Sequence, residues 1–271
     1  MNASRTAYPD EQDADDYPSV ASPLDLQHNL AAVQRRIAAA CERSGRSPTD
    51  IRLLPVSKTV EAARLRWAHA AGCREFGENR VQEADRKSQA LADLEGVRWS
   101  MIGHLQTNKA KTVAQFASEF QALDSLKVAE ALDRRLQAMG RSLDVLIQVN
   151  TSGETSKYGL PPQEVTGFLH ALPVFSSLRV RGLMTLAALS SDPARARTCF
   201  VRLRTLRDRL RQEAPEGIDM ATLSMGMSGD YEIAIEEGAT VVRIGQAIFG
   251  PRHLSDRHFW PDQGSTEGIS Q

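Results

Sequence analysis

Cysteine is scarce in this chain: Cys41, Cys73 and Cys199 are odd in number, far apart and outside any CxxC spacing. That argues against a disulfide framework and a zinc site, and it fits a reducing compartment. Excess charge is missing as well, and a formal net charge of -1 gives no general attraction to nucleic acid. No apolar run approaches the roughly 18 residues needed to span a bilayer, and the first residues show no basic-then-apolar signal pattern. The expectation is a cytoplasmic protein that engages neither nucleic acid nor membrane. A hydrophobic fraction of 41% and a charged fraction of 25% are ordinary for a globular protein.

Residues 1–23 carry Asp10, Glu11, Asp13, Asp15 and Asp16 with three prolines and little apolar content. Such a segment cannot offset its ordering entropy, so a disordered acidic tail is expected whose removal leaves the fold unperturbed. A helix should run from about Pro23 to Ser44, with Leu26, Leu30, Val33 and Ile37 at helical spacing and Gly45 as its stop. Apolar segments then alternate with helical ones. Strands are expected at 51–58, 75–78, 98–103, 120–124, 144–150, 179–185, 222–228 and 240–245. Helices are expected at 60–71, 79–94, 106–117, 126–139, 162–172, 192–213 and 229–237. Eight strands separated by helices imply parallel pairing with right-handed crossovers, hence a single (β/α)8 TIM-type barrel over 24–254 with an extra N-terminal helix. A doubly wound open sheet is the alternative, because 75–78 and 120–124 are weak strands. The segment 255–271, with Gly264, Ser265 and Gly268, reads as a flexible tail.

The 192–213 helix opens on Asp192-Pro193, a cap followed by proline at the first helical position. Its seven arginines between Arg195 and Arg211 read as a solvated face, with an anionic-partner surface as the lesser alternative.

Polar clusters fall at the C-terminal ends of the expected strands, where barrels assemble their sites. They are Ser57-Lys58, Glu78-Asn79, Gly103-His104, Asn150-Thr151, Met225 to Gly229, and Arg243 to Gln246. Ser228-Gly229 precedes a helical pattern and Gly245-Gln246 adds a second glycine turn, which together suit a phosphate. A phosphate at one end and the Lys58 amine at the other leave room for a flat aldehyde, and pyridoxal 5'-phosphate combines those features. Arg243, two residues before Gly245, would stand beside the pyridine nitrogen and weaken the ring as an electron sink. Its plainer reading is an ion pair with a rim acid.

Pro55-Val-Ser-Lys58-Thr, Phe76-Gly-Glu-Asn-Arg-Val-Gln-Glu83, Ile102-Gly-His-Leu-Gln-Thr-Asn-Lys109, Arg181-Gly-Leu-Met184, Leu223-Ser-Met-Gly-Met-Ser228 and Arg243-Ile-Gly-Gln-Ala-Ile-Phe-Gly250 carry a resemblance over about residues 27–253. The chain resembles the pyridoxal phosphate homeostasis protein family, whose barrel is similar to the N-terminal domain of alanine racemase. The resemblance implies that Lys58 carries the cofactor as an internal aldimine, that Ser228, Gly245 and Gln246 contact its phosphate and that Arg243 faces the pyridine nitrogen. Gln246 departs from the threonine or serine common in the family, and Gly229 from an aspartate.

Other assignments are weaker. Asn79 could pack on the ring or cap a helix, and Met225, with Met184 and Met227, packs around the ring or in the core. His104 could be an acid-base group but reads first as structural, and Lys157 matches the place where racemases put an arginine. The leading functional reading is a protein that holds pyridoxal phosphate for intracellular homeostasis, a monomer whose candidate partners are pyridoxal phosphate-dependent apoenzymes. The alternative is an amino-acid racemase or decarboxylase of low activity. A racemase of the resembled type needs a further β domain and a tyrosine base, and only Tyr158 and Tyr231 are candidates within the barrel. A bare interaction scaffold would leave Lys58, Ser228 and Arg243 without a purpose.

Overall fold

A computed structural model of the chain describes residues 17–188, 190 and 192–251. Eight strands alternate with helices: β1 Arg52–Pro55, β2 Glu75–Glu78, β3 Arg98–Met101, β4 Glu119–Leu123, β5 Leu143–Gln148, β6 Leu178–Met184, β7 Thr222–Ser224 and β8 Val241–Ile244. The α-helices are α1 Pro23–Arg43, α2 Ala62–Ala70, α3 Val81–Ala90, α4 Ala110–Phe116, α5 Leu126–Ala138, α6 Val165–Ala171, α7 Pro193–Glu213, α8 Tyr231–Glu236 and α9 Gln246–Phe249.

All strand pairs are parallel in the order β1-β8-β7-β6-β5-β4-β3-β2, and a Val56–Gly77 bridge joins the two outer strands. The sheet therefore closes on itself as the expected (β/α)8 barrel, and the open-sheet alternative is excluded. Strand β7 stops at Ser224 rather than near 228 because Gly226 turns the chain with φ +94°, and a Cβ there would lie 2.6 Å from Ala234. Helix α9 was not anticipated. Its four residues are too few to show a helical period beside the preceding glycine.

Helix α1 begins where expected. Ser22 accepts from the Asp25 N–H while Asp25 reaches back to the Ser22 N–H, a reciprocal capping box. The expected disorder of residues 1–23 is corrected at its end. Val20 is only 3% exposed and joins the apolar core, and Tyr17 packs against the same cluster. Pattern reading missed this because two apolar residues in an acidic stretch show no period. The expectations for residues 1–16 and for 252–271 lie outside the described residues.

The barrel interior is polar along one line. Arg243 donates from Nη1 to Ser224 Oγ at 2.6 Å, Ser224 donates to Gln121 Oε1 at 2.7 Å, and Gln121 Nε2 donates to Glu119 Oε2 at 2.7 Å. Ser100 Oγ donates to the same Glu119 oxygen at 2.7 Å, and Arg52 pairs its two nitrogens with Glu119 at 2.6 Å and Glu75 at 2.9 Å. Donors thus converge on Glu119 from both ends, which satisfies side chains that would be costly if buried alone. The arginines of α7 are largely tied to the chain itself. Arg197 and Arg204 pair with Glu236 and Glu237, and Arg202 donates to the Thr151 carbonyl. Among the described residues no helix is long and apolar enough to cross a membrane.

Candidate functional site

Lys58 lies in the turn directly after β1, at the C-terminal end of the barrel. The next residue, Thr59, is the only described non-glycine residue with positive φ, at +66°, and its N–H donates to Glu83 Oε1 at 2.6 Å. A backbone held in that region needs outside support. Lys87 of α3 supplies it, donating to the Ser57 carbonyl at 2.6 Å, Glu78 Oε1 at 2.7 Å and Glu83 Oε1 at 2.7 Å. Ser57 Oγ also donates to Glu78 Oε1 at 2.7 Å. Burial pushes the Glu78 carboxyl up to about 6 against the opposing pull of Lys87, and its Oε2 finds no partner among the described residues.

On the next two strands the glycine turns meet this one. Val56 donates its N–H to the Ile244 carbonyl at 2.9 Å, and a Cβ on Gly245 would stand 3.1 Å from the Val56 carbonyl oxygen. A side chain at 245 would therefore press on β1, which would have to give by a few tenths of an ångström. Gln246 opens α9, and the following Ala247 N–H meets Ser228 Oγ at 3.5 Å, the outer limit of a hydrogen bond. Ser228 is half-buried, and a Cβ on Gly229 would find open space. A hydroxyl, a weakly satisfied N–H and room beside them suit an oxyanion.

Arg243 is fully buried and donates its other nitrogen, Nη2, to the Thr185 carbonyl at 2.7 Å. Its partners are a hydroxyl and a carbonyl, so the rim ion pair is not what holds it. Burial lowers its pKa to about 10, which leaves a cation at neutral pH. Asp230 accepts from the Met227 N–H at 2.6 Å, and the charges of Arg243 and Lys157 act on it while burial raises its pKa.

The remaining candidates separate. Asn79 is not the helix cap, which falls at Arg80; its backbone instead packs on Gly103, where a Cβ would lie 2.3 Å from the Asn79 carbonyl oxygen. Met225 and Met184 are fully buried in the apolar core. Lys157 donates to the Ala187 carbonyl at 2.7 Å and faces Glu154 at 3.3 Å, so it is no solvated loop lysine. His104 stacks on Tyr158 with ring centroids 4.1 Å apart, and its Nδ1 lies 3.8 Å from Asp124. Tyr231 does not reach the mouth: it is 1% exposed, with the Arg36 guanidinium over its ring at 5.5 Å. Sequence reading missed Thr185, Ser224, Lys87 and Tyr17. For Ser224 the signal was a hydroxyl residue flanked by Leu223 and Met225, both buried.

The alanine racemase N-terminal domain family model matches residues 27–253. A pyridoxal phosphate homeostasis protein of Pseudomonas aeruginosa is 44% identical over 227 residues, covering 84% of this chain and 96% of the relative. The chain belongs to the pyridoxal phosphate homeostasis protein family. PipY of Synechococcus elongatus, solved with pyridoxal phosphate bound, is 37% identical and superposes with a TM-score of 0.73, covering 83% of this chain and all of PipY. Alanine racemase of Streptomyces coelicolor shares the fold at 20% identity, with a TM-score of 0.63 over 82% of this chain and 58% of the racemase. Family membership thus accounts for the barrel.

Proposed function

We propose that this chain binds pyridoxal 5'-phosphate covalently through Lys58 and serves its intracellular homeostasis. The observation that carries the reading is the packing of Val56, two residues ahead of Lys58, directly on Gly245, beside the Ser228–Ala247 contact. An amine and an anion-binding turn are joined there by adjacent strands. The residues that would hold the group are Lys58 at the aldehyde, Ser228, Gly245 and Gln246 at the phosphate, Arg243 at the ring nitrogen, and Asn79 and Met225 around the ring. When bound, the cofactor supplies a reactive aldehyde and an electron-accepting ring. A permanent cation beside the ring nitrogen opposes its protonation and keeps that electron demand low.

Support for a carrier over a catalyst comes from the bases. Racemisation needs proton donors and acceptors on both faces of the ring. Tyr231 is buried, Tyr158 is exposed and stacked on His104, and Lys157 is committed to Ala187 and Glu154. Relatives named as homeostasis proteins and a pyridoxal phosphate-bound PipY support the same reading. A monomer in the cytoplasm, delivering cofactor to apoenzymes, completes it.

The test is a visible absorption spectrum before and after borohydride, together with solvent deuterium exchange at the α-carbon of alanine and serine. A visible band abolished by reduction, without exchange faster than free cofactor gives, is expected. Exchange on the order of 1 per second, a range typical of turnover, would make the chain an enzyme instead.

A further inference from the structure

The segments that follow β2, β3 and β5 enclose a cavity at the barrel mouth, lined chiefly by Arg80, Gln82, His104, Gln106, Lys109 and Tyr158. None of these is among the residues proposed for the cofactor, although Arg80 follows Asn79 directly in the chain. The cavity measures about 240 Å³, below the roughly 300 Å³ at which pockets for drug-sized ligands begin, so it suits one small molecule.

Tyr158 gives the cavity a flat wall. It is 49% exposed and is the only aromatic among the exposed large apolar side chains of the described residues. Its loop is nonetheless pinned to β5. The Asn150 N–H donates to the Leu160 carbonyl and the Leu160 N–H to the Gln148 carbonyl, both at 2.9 Å, while Gln148 Nε2 donates to the Tyr158 carbonyl at 3.1 Å. Gly159 turns the chain at φ +113°, where a Cβ would lie 2.9 Å from the Asn150 nitrogen. One face of the Tyr158 ring stacks on His104 with 11° between the planes, and Asp124 stands 3.8 Å from His104 Nδ1. The other face is left for a flat ligand, and a wall already held in place costs that ligand little ordering entropy.

Arg80 and Lys109 supply two cations, and no lining residue is acidic. The Lys109 ammonium pairs with no carboxylate among the described residues. Two cations match the charge of a phosphate monoester better than that of a single carboxylate, with the guanidinium gripping two oxygens and the ammonium acting as a point charge. We propose that this cavity is a second, non-covalent site for a flat aromatic phosphate monoester, its phosphate between Arg80 and Lys109 and its ring on Tyr158. That the natural occupant is free pyridoxal phosphate, waiting beside the mouth, rests on the function proposed above.

The test uses the full chain with Lys58 first blocked by borohydride reduction in the presence of pyridoxal phosphate. Phenyl phosphate, which has no aldehyde, is then titrated calorimetrically beside inorganic phosphate and benzoate. A single phenyl phosphate should bind per chain, and each of the others at least about fivefold more weakly, for want of the ring or of the second charge. Lys109→Ala should weaken phenyl phosphate about tenfold and Tyr158→Ala about fivefold, with reduced adduct and melting temperature unchanged in both. Added pyridoxal phosphate should displace the probe. Absence of binding, undiminished binding in either variant, inorganic phosphate or benzoate binding as tightly as phenyl phosphate, or a probe that pyridoxal phosphate does not displace would each overturn the proposal. A chain that forms no reduced adduct fails the Lys58 reading instead, and phenyl phosphate binding that is lost in Lys109→Ala would still establish the cavity as an aromatic phosphate site.

Discussion

On the β1–β2 side of the barrel mouth, Lys87 donates three hydrogen bonds of 2.6 to 2.7 Å to Ser57, Glu78 and Glu83, and Thr59 adds a fourth to Glu83. On the β7–β8 side, Ser228 and Ala247 share a contact of 3.5 Å, with open space at Gly229. The first side is built to hold its own backbone, including a turn that would be strained alone. The second is under-satisfied by the protein, as a turn that receives an external anion should be. The difference separates two lysines: Lys87 fixes the turn after β1, and the task proposed for Lys58 is to meet the cofactor from that turn.

The largest effect that would break this division is chemical. Borohydride reduction in the presence of cofactor should label Lys58 alone, Lys58→Ala should abolish the label, and Lys87→Met should retain it in the folded fraction. Peptide mass mapping that places the adduct on Lys87 or Lys157 would reverse the assignment.

Next in size is stability. Lys87→Met leaves Glu78, at 0% exposure, without its cation, and breaking a buried pair in this way costs about 3–5 kcal/mol. Denaturant unfolding of the cofactor-free protein should show that loss. A change below about 1 kcal/mol would mean that the network is less dry than its burial indicates.

Legibility in the sequence follows the same division. The barrel and its strand order could be read because alternating apolar and helical segments leave few topologies, and even the weak β2 and β4 fell where expected. The turns on the under-satisfied side were legible as turns, since their glycines stand at strand ends. The satisfied side was not. A lysine seven positions into α3 looks like any solvated helix lysine, and only the fold brings it to Ser57 and Glu78. Tyr17 was hidden for the opposite reason, because the acidic residues around it set the expectation for the whole segment. Gly245 was read as a turn suited to a phosphate, and the close approach of Val56 to it, which no sequence pattern signals, is a second constraint on the same position.

That contact sharpens a smaller pair of effects. Ser228→Ala should leave stability nearly unchanged while costing up to about 3 kcal/mol of cofactor affinity, the range for a hydrogen bond to a charged group. Gly245→Val should cost about 1–3 kcal/mol of stability by overpacking against Val56 even without cofactor. Differential scanning calorimetry of the cofactor-free variants distinguishes them. An unperturbed Gly245→Val would mean that β1 yields easily.

The smallest effect is a pH dependence carried by Glu78. Its pKa in the fold is raised by burial to about 6 from an ordinary 4.5, so the folded state binds the proton more tightly than the unfolded chain. Stability from this group is therefore full below pH about 4.5 and declines as pH rises to about 6. The loss then stays constant at no more than about 2 kcal/mol, since a tenfold difference in proton affinity is worth about 1.4 kcal/mol. Asp25 and Glu236, whose pKa values are lowered by their hydrogen-bond partners, act in the opposite sense, so the total curve does not isolate Glu78. The difference in unfolding free energy between wild type and Glu78→Gln does, because the amide does not titrate and the other carboxylates cancel. Wild type should lose ground to Glu78→Gln between pH 4.5 and 6 and run parallel to it above. If wild type gains ground instead, Lys87 outweighs burial, and the β1–β2 side of the mouth is an ion pair rather than a proton-holding carboxyl under strain.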